Sequence, residues 1–352
     1  MTPTPRVAVI LVNHQDYARP YLAACYTSLV NQTYPADRFT LFIVNNGLPE
    51  AETRLTEQLA PSARILLNAE NRGWGGGNNT AIAVALREGF DDVVLVNIDT
   101  VADPGWLEAL VERAERDPDV HIVQSLILLD GTTRVNSAGN RTQFLGYGYC
   151  TGYGQDASAG HNGLAMDYAS GASMLVKRAV FERIGLFREE FFLYYDDMEF
   201  CWRARLAGFN VGRAERSVCH HAYSFQGRME RLYYFQRNRL LTLLTLERAG
   251  TLLLIAPCLL ISELLVDLYL IGQGRGGVVW ALARYFARGR TWRQIAARRR
   301  EVRAIRRRRD ADIVKGFAAR IVFAEMDSAA MRYVFNPLLW MYWTLVKPWI
   351  RW

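Results

Sequence analysis

Two adjacent carboxylates carry the clearest chemical signal in this chain of 352 residues. Asp196 and Asp197 follow the aromatic run Phe191–Tyr195 and open a predicted helix. Asp196 suits the N-cap position, and Asp197 and Glu199 fall in the first turn, where the helix dipole favours ionised carboxylates. A charged carboxylate beside an aromatic wall can act as a general base, so Asp196 and Asp197 are candidate catalytic residues. The alternative is that both acids only cap the helix.

A second acidic position follows the predicted strand Asp92–Val96. Asn97 and Asp99 come directly after this strand, and their oxygen atoms are ligands of the kind that Mg²⁺ or Mn²⁺ prefers. We predict Asp99 as a metal ligand and Asn97 as part of the same strand end. Asp103 is better explained as the cap of the helix that begins near Pro104.

Two of the five histidines, His220 and His221, are adjacent and follow a predicted strand, Asn210–Arg213. A neutral imidazole can complete a metal site begun by Asp99, and we assign that role to His220. The alternative for such a pair is that one ring makes an internal hydrogen bond and the other faces solvent.

A glycine-rich segment, Asn71–Asn79, precedes another predicted helix. We expect it to form a loop whose backbone amides approach a diphosphate or a sugar. A G-x-G-x-x-G fingerprint starting at Gly73 fails because position 78 is Asn, and no G-K-[ST] follows, so hydride transfer and P-loop chemistry lose support. A flexible surface turn remains the alternative. The residues predicted to bind this diphosphate or sugar, the donor side of the site, are Asn71, Gly73, Gly75, Gly76 and Asn78.

Short apolar runs alternate with predicted helices through the first half of the chain. Val7–Val12 and Leu41–Val44 have the composition of buried parallel strands, and a helix is predicted over Glu50–Leu59. This alternation predicts an α/β fold with a doubly wound sheet. Ligands of such sheets bind at the carboxyl ends of the strands, where Asn13 and Asn45 lie, so we expect both to contact a donor.

The composition indicates a globular protein with an anionic partner. About half of the residues are apolar, and the formal net charge is +7, with a dense basic block at Arg298–Arg309. Nucleic acid and an anionic membrane surface are the two candidates, and the block lacks the interleaved aromatics of a strand-binding groove, so we expect no nucleic acid.

The five cysteines show no C-x-x-C spacing and no signal peptide is recognisable, which predicts reduced thiols in a cytosolic protein.

Strongly apolar segments begin near residue 240. Thr251–Ile271 is long enough to cross a bilayer, but Glu263 and Asp267 interrupt it one helical turn apart. Because carboxylates are costly at the bilayer centre, we expect an in-plane or shallow re-entrant segment. The tail Leu338–Trp352 is rich in Trp and Tyr, which prefer the headgroup level.

Seven motifs occur in an order found in one enzyme family. They are S-L-V-N-Q-T (Ser28–Thr33), V-N-N-G (Val44–Gly47), N-R-G-W-G-G-G-N (Asn71–Asn78), N-I-D (Asn97–Asp99), G-A-S-M-L-V-K-R (Gly171–Arg178), F-F-L-Y-Y-D-D-M-E (Phe191–Glu199) and the late histidine stretch. Over roughly Val7–Leu246 the chain resembles the family 2 inverting glycosyltransferases with the GT-A fold. Rhamnosyl- and galactofuranosyltransferases of bacterial cell-surface glycans are similar members.

The resemblance implies roles for individual residues. Asn97 and Asp99 match the metal-binding acidic motif, Asp197 matches the catalytic base, and His220 matches a late metal-binding histidine. The chain departs from the family where Asn45 replaces an Asp that contacts the nucleotide base, and where Asn97 replaces the first acid of Asp-x-Asp. The residues that we expect to contact the acceptor lie in or beside two of the motifs and are Gly171, Ala172, Tyr195 and Trp202.

The resulting hypothesis is a GT-A type catalytic domain over residues 1–239, with a Rossmann-like, doubly wound mixed sheet, followed by a helical, amphiphilic, membrane-associating region over residues 240–352. The enzyme would use Mg²⁺ or Mn²⁺ and a nucleotide-diphosphate sugar, with dTDP- or UDP-sugars favoured. Its acceptor would be a polyprenyl-linked or other glycan at the cytoplasmic face of the cell membrane, where the protein is peripheral or monotopic. The alternatives are a catalytically degenerate sugar-nucleotide-binding protein attached to the membrane, and a sugar nucleotidyltransferase.

Overall fold

A computed structural model describes residues 4–161, 163–223, 229–322 and 329–352, with the backbone alone at residues 229 and 230. The strands are β1 (Val7–Asn13), β2 (Phe39–Asn46), β3 (Arg64–Asn68), β4 (Asp92–Val96), β5 (Thr100–Ala102), β6 (Val120–Leu129), β7 (Val135–Ser137), β8 (Asn140–Thr142), β9 (Gly148–Cys150), β10 (Ser173–Lys177) and β11 (Asn210–His221).

The α-helices are α1 (Ala23–Val30), α2 (Glu50–Leu59), α3 (Gly73–Arg87), α4 (Trp106–Arg116), α5 (Arg178–Ile184), α6 (Asp196–Leu206), α7 (Met229–Leu246), α8 (Ala249–Gly272), α9 (Gly276–Phe286), α10 (Gly289–Ile305), α11 (Asp310–Val314) and α12 (Asn336–Val346). The described residues form two compact units. The first comprises residues 4–140, 150–161, 163–204 and 209–223, and the second comprises residues 141–149, 205–208, 229–322 and 329–352. The position 239/240, where the sequence suggests a domain boundary, lies inside α7.

The first unit is built on one mixed sheet of nine strands. Its order is β3-β2-β1-β4-β10-β6-β11-β5, with β7 paired to β6. Strands β3, β2, β1 and β4 are parallel, whereas β10 runs antiparallel to both β4 and β6. This arrangement confirms the predicted α/β class with a mixed, Rossmann-like sheet.

Helices cover both faces of the sheet. Val7, Val9 and Leu11 alternate along β1 and pack in a core cluster with side chains of α1 and α4, which include Leu29 and Trp106. Because β1 lies between β2 and β4 and its side chains are covered by helices, its apolar run is continuous, as expected for a strand buried on both faces.

Helix α3 covers the other face and begins earlier than the sequence suggests. The glycine-rich segment is predicted as a loop through Asn79, yet the helix starts at Gly73. Glycine disfavours helix by about 1 kcal/mol relative to alanine, which is why composition alone favours a loop. Packing explains the difference, since a Cβ atom on Gly77 would lie 2.7 Å from the side chain of Val12. The glycines therefore let α3 approach β1 closely.

The second unit is helical, and its described residues include α7 to α12. Helix α7 packs against α9 and α10, and α8 packs against α9 and α12. Arg239 of α7 is fully buried and binds Glu263 of α8 through both carboxylate oxygens, at 2.5 and 2.7 Å. One of the two acids that interrupt the apolar run is therefore paired with an arginine inside this unit.

Candidate active site

Asp99 lies beside a histidine at the carboxyl end of β4. The turn from Asn97 to Thr100 is closed by the Thr100 backbone N–H, which donates to the Asn97 carbonyl at 3.2 Å. Nε2 of His221 lies 3.3 Å from Oδ1 of Asp99. The Asp99 side chain is 16% exposed, so it remains accessible from solvent while the histidine is buried.

The histidine beside Asp99 is His221, not the expected His220. Strand β11 continues to His221 and pairs antiparallel with β5, which sets His221 opposite Thr100 and His220 opposite Val101. Because successive side chains of a strand point to opposite faces, only one of the two rings can face Asp99. The other ring, that of His220, lies 3.3 Å from Asp103. The sequence suggested a strand that ended before the histidines, and therefore did not provide this register.

A buried amide fixes the orientation of the His221 ring. Oδ1 of Asn136, on β7, lies 3.1 Å from Nδ1 of His221, and Asn136 is only 5% exposed. An amide oxygen accepts, so Nδ1 carries a hydrogen, and in the neutral ring Nε2 then presents its lone pair towards Asp99. A histidine that binds a metal commonly donates its other N–H to such a partner. Sequence reasoning missed Asn136, since no pattern connects it to residues 85 positions away.

The pair Asp99 and His221 fits a divalent cation. Octahedral Mg²⁺ holds its ligands at about 2.0–2.1 Å, so two neighbouring ligand atoms lie about 3 Å apart, close to the observed 3.3 Å. The part of the chain that the structure describes holds no cluster of three or more His, Cys, Asp or Glu suited to a metal. Two protein ligands are compatible with Mg²⁺, which usually completes its shell with water and substrate phosphates.

Asn97 joins this pair to helix α3. Its Oδ1 accepts a hydrogen bond from the Nε1–H of Trp74 at 3.2 Å, and its Nδ2 lies 3.5 Å from Nε2 of His221. The amide oxygen, which could bind a metal, is thus occupied by the indole. The Trp74 ring packs edge-on against Phe187, with centroids 5.2 Å apart. Trp74 was missed because it stands within the glycine run that is predicted as a loop.

Asp197 is linked to the Trp74 ring through Gly171. Its Oδ2 accepts from the backbone N–H of Gly171 at 3.0 Å, and its Oδ1 accepts from the N–H of Met198 at 2.8 Å. A Cβ atom on Gly171 would lie 2.5 Å from the Trp74 ring, so the indole requires glycine at this position. Burial raises the pKa of Asp197 above its usual range, although the two backbone donors oppose that shift.

Contacts through Gly171 and Trp74 thus connect Asp197 to Asn97, and Asn97 contacts the pair formed by Asp99 and His221. Ala172 belongs to the same layer, because its carbonyl accepts from the Asn97 N–H at 3.1 Å. The structure therefore brings the predicted base and the predicted metal ligand to one edge of the sheet.

The segment before Asp196 has a strained backbone. Phe192, Tyr194 and Tyr195 have φ values of 64°, 65° and 70°, which non-glycine residues rarely adopt. The Trp74 N–H donates to the Phe192 carbonyl at 2.8 Å and holds the segment against the start of α3. Such strain persists where the surroundings fix it, and it is concentrated at functional sites.

The neighbouring acids of α6 are more buried than Asp197. Asp196 is 4% exposed and lies so close to α3 that a Cβ atom on Gly75 would be 2.6 Å from its Oδ1. Glu199 forms a two-pronged ion pair with the fully buried Arg203, with both contacts at 2.9 Å. Burial acts to raise the pKa of Glu199, but Arg203 and Arg188 outweigh it and hold the pKa below its usual range. Glu199 therefore anchors the helix.

Two residues expected to contact an acceptor, Tyr195 and Trp202, are 6% and 3% exposed. Tyr195 directly precedes α6 and Trp202 lies within it. Both side chains are thus largely buried, and their acceptor role stays a prediction.

Asn13 and Asn45 end the neighbouring parallel strands β1 and β2. Nδ2 of Asn13 donates to Oδ1 of Asn45 at 3.1 Å and to Thr56 at 3.0 Å. Both asparagines are buried, with at most 1% exposure. The structure brings them together at the strand ends, where a donor site was predicted.

The remaining predicted donor residues lie at the start of α3. Oδ1 of Asn71 accepts from the Gly73 N–H at 2.9 Å and so caps the helix, and Asn78 donates to the Trp74 carbonyl one turn back. A Cβ atom on Gly76 would lie 2.7 Å from the Arg72 side chain. These residues organise the N-terminal end of α3, and direct contact with a donor stays a prediction for them.

Comparison with known proteins matches most of the chain to one family. Residues 5–239 match the model described as glycosyltransferase like family 2. The chain is 31% identical over 179 residues to a low-salt glycan biosynthesis hexosyltransferase of Haloferax volcanii, which covers 49% of this chain and 57% of that protein. It is 26% identical over 211 residues to the N-acetylglucosaminyl-diphospho-decaprenol L-rhamnosyltransferase of Mycobacterium tuberculosis. This match covers 54% of this chain and 68% of that protein.

A solved structure shares the fold at low sequence identity. GalNAc-T7, crystallised with UDP, GalNAc and Mn²⁺, superimposes with a TM-score of 0.53 at 12% identity, covering 71% of this chain and 49% of that one. The expected GT-A type fold is thereby supported by coordinates as well as by sequence. Since the family model matches more than half of its residues, the chain belongs to glycosyltransferase family 2.

Proposed function

We propose that the protein is an inverting glycosyltransferase that moves a sugar from a nucleotide-diphosphate sugar to a hydroxyl group of a glycan acceptor. The observation that carries this proposal is the contact layer Asp197, Gly171, Trp74, Asn97 and His221. These contacts support the proposal because they link the candidate base Asp197, through Gly171 and the Trp74 indole, to Asn97 and to the His221 ring beside Asp99.

The reaction that these groups support is a single in-line displacement. Asp197 accepts the proton of the acceptor hydroxyl while the acceptor oxygen forms a bond to the anomeric carbon. The bond between that carbon and the diphosphate oxygen breaks, and the nucleoside diphosphate leaves from the opposite side with inversion. The backbone donors of Gly171 and Met198 orient the Asp197 carboxylate, and its raised pKa makes it a better proton acceptor than an exposed aspartate.

Asp99 and His221 would hold the divalent cation, for which we propose Mn²⁺ or Mg²⁺. When bound, the cation neutralises charge on the departing diphosphate. Asn136 keeps the His221 ring in the tautomer that presents Nε2, and Trp74 keeps the Asn97 amide in place. GalNAc-T7 was crystallised with Mn²⁺, which agrees with this proposal.

For the substrates, we propose a UDP- or dTDP-sugar as donor and a polyprenyl-linked or other cell-surface glycan as acceptor. The Mycobacterium tuberculosis relative is named as acting on a decaprenol diphosphate, a lipid-linked acceptor. An acceptor of this class would be met at the cytoplasmic face of the cell membrane, where we place this protein as a peripheral or monotopic enzyme.

The direct test is a screen of the purified full chain against UDP-, dTDP- and GDP-sugars with Mn²⁺, with Mg²⁺ or with EDTA. We expect thermal stabilisation by one donor class and slow, metal-dependent release of its nucleoside diphosphate. Asp99→Asn should weaken Mn²⁺ binding, whereas Asp103→Asn, which alters the acid beside His220, should not. The proposal would be contradicted if none of the donors stabilised the protein.

A catalytically degenerate sugar-nucleotide-binding protein is the competing function. Asn45 and Asn97 favour it, because both stand where the resemblance predicts an acid. The two functions differ in one result: the degenerate protein would be stabilised by a donor but would neither hydrolyse nor transfer the sugar.

A further inference from the structure

Helix α8 exposes a continuous apolar stripe. Leu253, Leu260, Leu264, Leu268 and Ile271 recur at intervals of seven, four, four and three residues, which places them on one side of the helix. Each is at least 54% exposed. The large apolar side chains that α8 exposes are Leu253, Leu260, Ile261, Leu264, Leu265, Leu268, Tyr269 and Ile271. Soluble monomers rarely expose a patch of this extent without a partner. We call these eight residues the α8 apolar face.

The opposite side of α8 is held by polar contacts near its start and middle and by apolar packing near its end. Near its start, Oγ1 of Thr251 donates to the buried Asp310 at 2.6 Å. Near its middle, Glu263 pairs with Arg239 of α7, and near its end Leu270 packs in a cluster with α9. A spanning orientation of α8 would draw these buried ionic groups into hydrocarbon, which is energetically costly. The helix is long enough to span, but its packing favours an orientation in the membrane plane.

The helices that pack against α8 expose aromatic and apolar side chains as well. Trp280 of α9 is 64% exposed, and Trp340 and Leu345 of α12 are 52% and 66% exposed. The Tyr342 hydroxyl donates to the Leu254 carbonyl at 2.6 Å and joins α12 to α8. Tryptophan at such positions prefers the boundary between headgroups and acyl chains.

The positive charge next to α8 favours an anionic partner. Residues 273–300 contain eight arginines and no acidic residue. Arg284, Arg288, Arg290 and Arg293 of this segment are exposed, and the Arg284 guanidinium lies 5.2 Å from the centre of the Trp280 ring. Each cation near an anionic membrane strengthens binding to it. A second copy of this chain would bring the same positive charges together, so charge disfavours it as the occupant.

The structure also revises which arginines are expected to contact a membrane. The block Arg298–Arg309 was the expected contact, but part of it is used internally. Nη1 of Arg299 donates to the carbonyls of Leu244 and Glu247, at 2.6 and 2.7 Å, and thereby caps α7. Arg306 pairs with Asp310.

We propose that the α8 apolar face is an in-plane docking surface for an anionic lipid bilayer, inserted to headgroup depth. Asp267 lies at the border of the stripe and is partly exposed, which is compatible with shallow insertion and not with the bilayer centre. The inference deepens the proposed function by naming the surface that would reach a lipid-linked acceptor.

Vesicle flotation of the full chain tests the inference without donor or acceptor, so its failure is distinct from failure of the transfer reaction. We expect the protein to float with vesicles of phosphatidylcholine and 30% phosphatidylglycerol, and to bind pure phosphatidylcholine at least tenfold more weakly. Leu260→Gln with Leu264→Gln should reduce binding about tenfold, and the matched control, Leu67→Gln with Leu164→Gln on the first unit, should leave it unchanged.

Three results would overturn the inference. The first is equal flotation of the α8 double variant and its control. The second is resistance of the bound protein to extraction at alkaline pH, which would indicate a spanning helix. The third is a lipid-free dimer, seen by mass photometry, that the Leu260 and Leu264 changes convert to a monomer, because a second copy would then cover the face.

Discussion

Replacing Gly73 by alanine should damage the candidate active site far more than the same change at Gly89. Both glycines have positive φ, +71° and +76°, so both alanine variants bear the cost of a left-handed backbone, about 1–2 kcal/mol. At Gly89 the added Cβ atom meets nothing within 4 Å. At Gly73 it would lie 2.2 Å from the carbonyl oxygen of Phe192 and 2.6 Å from its Cα.

The contact at Gly73 is with backbone that has little freedom to move. Phe192 itself has a φ of 64°, and its carbonyl accepts the Trp74 N–H at 2.8 Å. Overpacking typically costs about 1–3 kcal/mol and a lost hydrogen bond about 1 kcal/mol, so with the backbone cost the total for Gly73→Ala is about 3–6 kcal/mol. Because Phe192 leads into Asp196 and Asp197, donor binding or turnover should fall as well.

Urea denaturation of the two variants, followed by intrinsic fluorescence, measures this difference. The Gly89→Ala variant should be destabilised only by the cost of a left-handed alanine, and it should keep wild-type turnover. Equal destabilisation by the two substitutions would refute the reasoning, since the close approach of α3 to residue 192 would then be without energetic consequence.

Two further predictions concern the metal site and a buried acid. Asn136→Leu removes the acceptor that fixes the His221 tautomer, so Mn²⁺ binding, measured by electron paramagnetic resonance, should weaken about 10–100-fold. The control Thr132→Val, on an exposed turn of the same unit, should leave the Mn²⁺ affinity unchanged. Wild-type Mn²⁺ affinity of the Asn136 variant would show that Asn136 does not support the metal site. Burial raises the pKa of Asp92 to about 7. The native state then binds this proton more tightly than the unfolded chain, so stability falls as pH rises from about 4 to about 7, and Asp92→Asn should be more stable than wild type at pH 8 by up to about 4 kcal/mol. Melting temperatures at pH 5 and pH 8 check this, and an advantage that does not grow with pH would contradict it.

The parts of the fold that sequence predicts are those fixed by local apolar pattern. The continuous apolar run of β1 and the helix Glu50–Leu59 are found where the pattern suggests them. The start of α3 could not be predicted in this way, because the glycines that disfavour helix locally are required by the close approach of Val12 and Asp196.

The candidate site was predicted for its acids but not for its arrangement. Asp99 and Asp197 stand out by residue type and position at element ends. The choice between His220 and His221 depends on the pairing of β11 with β5, a long-range register that residue types do not reveal. Asn136 and Trp74 act through hydrogen bonds to residues distant in sequence, so only coordinates identify them.

Turnover of Asp197→Asn with the identified donor and acceptor is the measurement that tests the central claim most directly. The amide preserves the shape of the side chain and removes the proton acceptor. We predict donor and Mn²⁺ affinities within about twofold of wild type and a loss of turnover of 10²–10⁴-fold, the usual contribution of a general base. Wild-type turnover by this variant would contradict the assignment of Asp197 and, with it, the proposed mechanism.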